Sequence, residues 1–200
     1  MVSGKIRFFL KILRREDKLT AIPNFEKLSN EIGQKLWSIM PESAAQIIFR
    51  STIHLKSESY GSSWIEKDGS LGQFDWDNEP EQVEKDIHDF VKQVQDLPIF
   101  SSTKWTHCKV VLNETGKVKL EFAYVDDEDW WPNLHMRGVS ELTKLEAAQN
   151  YIPGKDWRKM SKAAISRKTL QIENALKEGD QNLVDALQTE IDEIKVRLES

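Results

Sequence analysis

The sequence predicts an α+β protein, with an antiparallel sheet of about five strands, helices packed on that sheet, and a C-terminal helical hairpin. Two observations lead to this fold class. Short segments that alternate apolar and polar residues lie between turn signals, as in antiparallel strands with one buried face. Longer segments with apolar residues at helical spacing lie between these strands and follow them.

The first half of the chain predicts one helix and three strands. The helix covers 24–40, where apolar residues recur every three or four positions before Pro41 ends it. Strands follow over 45–53, 60–65 and 71–76, and an Asp-Gly turn signal joins the last two. Because the connections are short, these three strands form an antiparallel meander.

A second helix is predicted over 79–97. Asn78 or Asp77 is its expected N-cap, Pro80 its first residue, and Pro98 its end. Its buried stripe consists of Val83, Ile87, Phe90, Val91 and Val94.

A β-hairpin over 105–129 completes the sheet. Val110 and Leu112 alternate with polar or exposed positions before a turn at 114–116, and the returning strand alternates in the same way. In that strand the expected core face consists of Val118, Leu120, Phe122 and Tyr124. The hairpin ends in four consecutive acids, and two tryptophans follow them.

The last fifty residues are predicted to be helical. A short helix over 138–149, capped by Ser140, precedes two longer helices that meet at Gly179-Asp180. One seam at coiled-coil-like spacing consists of Leu183, Leu187, Ile191, Ile194 and Leu198, and the opposing face of Leu170, Ile172 and Leu176. Because an isolated helical hairpin is marginal in water, it must dock on the body or form a homodimer.

The chain is therefore divided into three parts: a basic amphipathic N-terminal segment (1–20), an α+β domain (21–150) and the helical hairpin (151–200). The N-terminal segment is expected to pack on the body, with a membrane surface as the alternative. A signal peptide is not expected, because charged residues interrupt its apolar stretch. The single cysteine and the lack of a long apolar run indicate a cytoplasmic protein.

Charge is unevenly distributed along the chain. Residues 21–150 carry 13 Lys and Arg against 22 acids, so this part alone has a net charge of −9. Such a body repels nucleic acid and attracts a basic protein partner. The alternative interpretation is that the acidic surface only keeps the protein in solution.

No pattern in the sequence predicts catalysis. The four histidines and Cys108 lack the spacing of metal motifs, and phosphate loops, dinucleotide fingerprints and nucleophile elbows are absent from the sequence. Residues 75–79 only partly resemble a calcium loop and are assigned to helix capping and surface charge. We therefore expect a protein that is not an enzyme and that has no metal and no cofactor.

The acids and tryptophans after the hairpin predict a protein-binding surface. Carboxylates can meet Arg and Lys of a partner, and tryptophans often dominate the energetics of an interface. The alternative is that the tryptophans belong to the core and the acids to a solvated loop. The candidate interface residues are Asp75, Asp77, Asp126, Asp127, Glu128, Asp129, Trp130 and Trp131.

Several segments together resemble the YezG-like family of bacterial immunity proteins. They are LWSIMPES at the end of the first helix, FDW in the meander, and W-x-x-x-x-V-V-L-x-x-x-G-K-V-K-L-E-F-A-Y-V-D-D from Trp105 to Asp127. The resemblance spans roughly residues 24–130 and is most specific in the hairpin. The N-terminal segment and the tail from about residue 155 lie outside it.

The resemblance implies an antitoxin of bacterial competition systems, such as contact-dependent growth inhibition. Such a protein binds a cognate secreted toxin domain noncovalently, blocking its active site or substrate groove. The expected toxin is a nuclease with a basic surface, and the family offers no catalytic residues to transfer. The competing interpretation is a structural or assembly factor that oligomerises through the C-terminal hairpin.

Overall fold

The computed structural model describes residues 23–54, 57–101 and 104–199. These residues form two compact units that divide between Tyr124 and Val125. The sequence places the division near residue 150 instead. The predicted N-terminal segment (1–20) lies outside the described residues.

The unit of residues 23–124 contains one five-stranded antiparallel sheet. The strands lie in the order β3-β2-β1-β4-β5, so the meander and the hairpin meet where β1 pairs with β4. This arrangement confirms the predicted α+β class and the five strands. The strands are β1 (Ala44–Ile53), β2 (Glu58–Glu66), β3 (Leu71–Gln73), β4 (His107–Asn113) and β5 (Val118–Ala123).

Two helices cover one face of this sheet. Helix α1 (Pro23–Ile39) contacts β4 and β5, whereas α2 (Glu81–Gln95) contacts β1 and β2. Phe49 of β1 lies opposite Val110, and both are fully buried on the helix-covered face. The fully buried side chains of the two helices include Ile32, Leu36, Ile87, Val91 and Val94. Burial of this apolar surface is the main favourable contribution to folding of the unit.

A glycine permits the close approach of α1 to the sheet. A Cβ atom at Gly33 would lie 2.6 Å from Cγ2 of Val118. Any other residue type would therefore require the Val118 side chain or α1 itself to shift.

Some predicted boundaries in this unit are wrong. The third strand ends at Gln73 rather than at 76, because Trp76–Asn78 form a 3-10 turn. Helix α2 begins at Glu81, and Pro80 occupies its N-cap position without a capping side chain. Neither Asp77 nor Asn78 caps this helix, so the capping role predicted for residues 75–79 is wrong.

The unit of residues 125–199 contains the short helix α3 (Lys144–Gln149) and the helix pair α4 (Gly154–Glu178) and α5 (Gln181–Glu199). Thr143 caps α3, since its hydroxyl accepts a hydrogen bond from the Glu146 amide. The prediction of a helix over 138–149 with Ser140 as its cap is wrong, because residues 139–141 form a separate 3-10 turn.

Trp157 of α4 lies in the core of this unit. Its indole is almost completely buried, and its Nε1 donates a 3.0 Å hydrogen bond to the Leu142 carbonyl. The surrounding buried cluster contains Leu134, Val139, Leu142, Ala147 and Ile152. Residues 125–153 therefore share one core with α4, which explains why the units do not divide near residue 150.

The two long helices pair as predicted, but one of the two predicted faces is wrong. Leu187, Ile191 and Ile194 of α5 are buried, as the predicted seam requires. On α4, however, Leu170 and Leu176 are more than half exposed. The small buried residues of α4 are Ser161, Ala164 and Ala175 instead. Within the described residues, no helix is both long and apolar enough to cross a membrane.

Candidate functional site

Asp129, one of the predicted interface acids, is an internal group. Its side chain is only 7% exposed. The carboxylate accepts hydrogen bonds from the Ser140 amide at 2.9 Å and from the Ser140 hydroxyl at 2.6 Å. Burial raises the pKa of Asp129 to about 6, although the bonds from Ser140 act in the opposite direction. The prediction of four exposed carboxylates is therefore wrong at this position.

Gly138 makes room for the Asp129 carboxylate. A Cβ atom at this position would collide with the Asp129 carboxylate oxygen Oδ2. The Val139 amide also donates to the Asp129 carbonyl at 2.8 Å. Residues 129 and 138–140 thus form a closed loop held by main-chain and side-chain bonds, which the sequence did not predict.

Two other acids of the run are held by a cation of the same unit. Arg167 of α4 lies 3.2 Å from Asp126 and 2.7 Å from Glu128. A partner must compete with this arginine to use either carboxylate. Asp127, between them, has an exposed side chain.

The two tryptophans after the acid run are partly buried. Trp131 packs against the core cluster around Trp157, and Trp130 is also only partly exposed. For Trp131 the packing favours the core alternative.

Asp75 and Asp77 lie in a different environment. Both are exposed, and they flank Trp76 in the 3-10 turn between β3 and α2. The Trp76 side chain is 90% exposed, although the sequence did not single it out as an interface residue. Residues 75–79 are called the Trp76 turn below. Asp75 and Asp77 belong to the unit of residues 23–124, whereas Asp126–Trp131 belong to the other unit.

The carboxylates of the Trp76 turn are not neutralised by any cation in the part of the chain that the structure describes. Within the described residues, Asp75, Asp77 and Glu79 have no ion pair, and neither has the exposed Glu81 that begins α2. Four exposed carboxylates and one exposed indole therefore lie within seven consecutive residues. Such a surface attracts positive charge and repels phosphate groups.

Three hydrogen-bonded side chains in the sheet unit, called the Ser51–His88–Glu58 network below, have the composition of a catalytic triad. Ser51 Oγ lies 2.9 Å from His88 Nδ1, and Glu58 Oε2 lies 3.0 Å from His88 Nε2. Residues so far apart in sequence give no local signal, so this network was not predicted. Lys92 also bonds Glu58, and these bonds from Lys92 and His88 lower the pKa of Glu58.

The position of Ser51 argues for a structural role of the Ser51–His88–Glu58 network. Ser51 is completely buried in β1, and Tyr60 stacks on the His88 ring with centroids 4.5 Å apart. A nucleophile must reach its substrate, and a fully buried hydroxyl cannot do so without movement of the sheet. The network instead satisfies the hydrogen-bonding groups of the buried Ser51 and His88 side chains.

Two further histidines and the cysteine also lie inside the protein. His54 and His107 form an edge-to-face pair with centroids 5.3 Å apart, and both are buried. Cys108 is fully buried, which raises the pKa of its thiol. Among the described residues, no cluster of three or more His, Cys, Asp or Glu side chains could hold a metal ion.

The described residues thus offer two acidic surfaces of different character. The acid run at 126–129 is largely engaged in internal bonds, whereas the Trp76 turn presents its charges and its indole to solvent. Comparison of the chain with protein-family models and with curated proteins finds no match in either case.

Proposed function

We propose that this protein is an immunity protein that neutralises a cognate secreted toxin in the cytoplasm. It binds the toxin domain noncovalently and blocks its active site or substrate groove. The observation that carries the proposal is a set of exposed carboxylates, without an ion pair to any described residue, beside an exposed tryptophan on an ordered α+β body. Opposite charge accelerates association with a basic toxin, and a buried aromatic side chain at the interface slows dissociation of the complex.

Charge and sequence resemblance support the same partner. The net charge of −9 over residues 21–150 disfavours direct binding to nucleic acid and favours a basic protein. A nuclease fits this description, because it needs a basic surface for its own substrate. The resemblance to YezG-like immunity proteins covers the sheet unit, which contains the Trp76 turn.

Co-expression tests the proposal directly. The toxin candidate is the C-terminal domain encoded by the gene immediately upstream of this one. Cells that express the domain alone are expected to die, and cells that also express this protein are expected to grow. A matched control is co-expression of an unrelated acidic protein of similar size, which should not rescue growth. Equal death with and without this protein would contradict the proposal.

The exposed leucines of α4 favour a second candidate function, assembly through the helix pair. Leu170 and Leu176 each leave apolar surface open on α4. If this surface joins two chains, Leu170→Glu/Leu176→Glu should convert a dimer into a monomer in light scattering. If toxin binding is the function, the same variant should still rescue growth. Truncation after Gly154 cannot separate the two candidates, because it removes Trp157 from the core.

A further inference from the structure

We propose that Trp76 is the anchor of the toxin interface, and that its partner site is an apolar slot bordered by Lys or Arg side chains. This inference rests on the proposed function and specifies the chemistry of the partner surface. It places the first contact on the Trp76 turn rather than on the acid run at 126–129.

The exposure of Trp76 is the first argument. An indole that is 90% exposed retains nearly all of the apolar surface that folding normally removes from water. Placing the indole in an apolar slot of a partner would remove this surface from water, which is favourable. Tryptophan is also among the residue types most enriched in interface hot spots.

The second argument is that the turn is held at its β3 end. Phe74 packs on the Trp64 ring of β2 with centroids 4.9 Å apart. Trp64 itself donates a 2.6 Å hydrogen bond to Glu66, and its ring covers Gly72 so closely that a Cβ there would collide. The residue two positions before Trp76 is therefore fixed on the sheet.

The turn is also held at its α2 end. The Asn78 amide donates to the Asp75 carbonyl at 2.9 Å, and the Glu84 amide donates to the Pro80 carbonyl at 3.0 Å. The buried Glu84 carboxylate accepts a 2.8 Å bond from the Ser62 amide of β2. Both ends are thus attached to β2, so little conformational entropy remains to be lost on binding.

The charges around Trp76 identify the partner. Asp75, Asp77, Glu79 and Glu81 lie within five positions of Trp76 and are exposed, and none of them has an ion pair with another described residue. A nucleic-acid base also stacks on tryptophan, but its phosphates would be repelled by these carboxylates. A protein surface that places Lys or Arg around a hydrophobic slot matches both the indole and the carboxylates of the turn.

The acid run differs from the Trp76 turn in these respects. Arg167 already binds Asp126 and Glu128, and Asp129 is buried against Ser140. Trp131 contributes to the core. A complex formed through this run would have to break internal bonds, whereas the Trp76 turn breaks none.

A titration with matched variants tests this proposal. The probe is the catalytically inactivated C-terminal domain of the upstream gene product, added to the full-length protein in a calorimeter. Trp76→Ala is expected to weaken binding by at least about 30-fold, as for an interface hot spot. Trp37→Ala is the matched control, since Trp37 is a 53% exposed tryptophan on α1, and it should change the Kd by less than about threefold.

Charge reversal gives an independent measurement. Asp75→Lys/Asp77→Lys should slow association about tenfold or more at low salt, and the effect should decrease as salt rises. Glu173→Lys/Glu178→Lys makes the same charge change on exposed positions of α4 and should leave the association rate near that of the wild type. Unchanged melting temperatures of all four variants would show that the fold is intact.

The outcomes separate the inference from the proposed function. Wild-type affinity for Trp76→Ala, with tight binding by the wild-type protein, would overturn the anchor and leave the immunity function standing. Amide protection on binding over 126–131 instead of 74–81 would have the same consequence. Absence of binding and of rescue by the wild-type protein would overturn the proposed function, and the inference with it.

Discussion

Trp157→Ala is expected to lower the free energy of unfolding of the unit of residues 125–199 by about 3–5 kcal/mol. The indole is almost completely buried among the cluster that includes Val139, Leu142 and Ile152. Alanine at this position would leave a cavity and would also leave the Leu142 carbonyl without its donor. Urea denaturation followed by circular dichroism, with amide hydrogen exchange to resolve the two units, measures the change.

Two controls separate the contributions of Trp157. Trp157→Phe retains most of the apolar contact but loses the hydrogen bond. It should therefore lower the free energy of unfolding by only about 1–3 kcal/mol. Trp76→Ala removes the same side chain from the surface and should change stability by less than about 0.5 kcal/mol. An unchanged unfolding midpoint for Trp157→Ala would show that α4 does not share a core with residues 125–153.

The sheet could be predicted from the sequence because its signals are local. Alternation in β1 and β4 marks one buried face, as Phe49 and Val110 show, and the Gly69 and Gly116 turns have the left-handed backbone that favours glycine. The pairing of β1 with β4 joins residues more than fifty positions apart, such as Thr52 and His107, and was not predicted. The short 3-10 turn at Trp76–Asn78 has no periodicity, so the third strand was predicted too long.

The unit boundary could not be predicted in the same way. The change in composition near residue 150 marks where helical residues begin, not where the cores divide. Trp157 connects α4 to Leu142 through packing and a hydrogen bond, a contact between residues fifteen positions apart. The exposed Leu170 illustrates the same limit, because apolar spacing does not show which leucine of a helix faces its partner.

The candidate site was only partly predicted, since a carboxylate's environment depends on distant residues. Asp129 and Asp127 look equivalent in sequence, yet Ser140 binds only the first. Arg167 lies about forty positions from the acids that it binds. Exposure of Trp76 likewise depends on the turn rather than on residue type, and tryptophan is more often buried than exposed. For that reason the indole was not singled out beside Asp75 and Asp77.

Asp129→Asn is expected to remove a pH dependence from the stability of the 125–199 unit. Burial raises the pKa of Asp129 from 3.8 to about 6, so the folded state binds this proton more tightly than the unfolded chain. The free energy of unfolding should therefore be highest, for this group, below pH about 4, and should fall as pH rises from about 4 to 6. The total change is about 3 kcal/mol, since each pKa unit corresponds to about 1.4 kcal/mol.

Asparagine resembles the protonated carboxyl group, because its amide oxygen can accept the Ser140 N–H bond without a charge. The variant should thus be at least as stable as the wild type at pH 7 and should show a nearly flat profile between pH 4.5 and 6. Glu146 does not confuse this range, since Arg137 lowers its pKa to about 2 and its contribution is lost only as pH falls below about 4.5. Asp127→Asn removes a charge from the exposed neighbouring position and should retain the wild-type slope. A wild-type slope in Asp129→Asn as well would place the titrating group elsewhere, and burial of the Asp129 carboxylate would then have no measurable electrostatic cost.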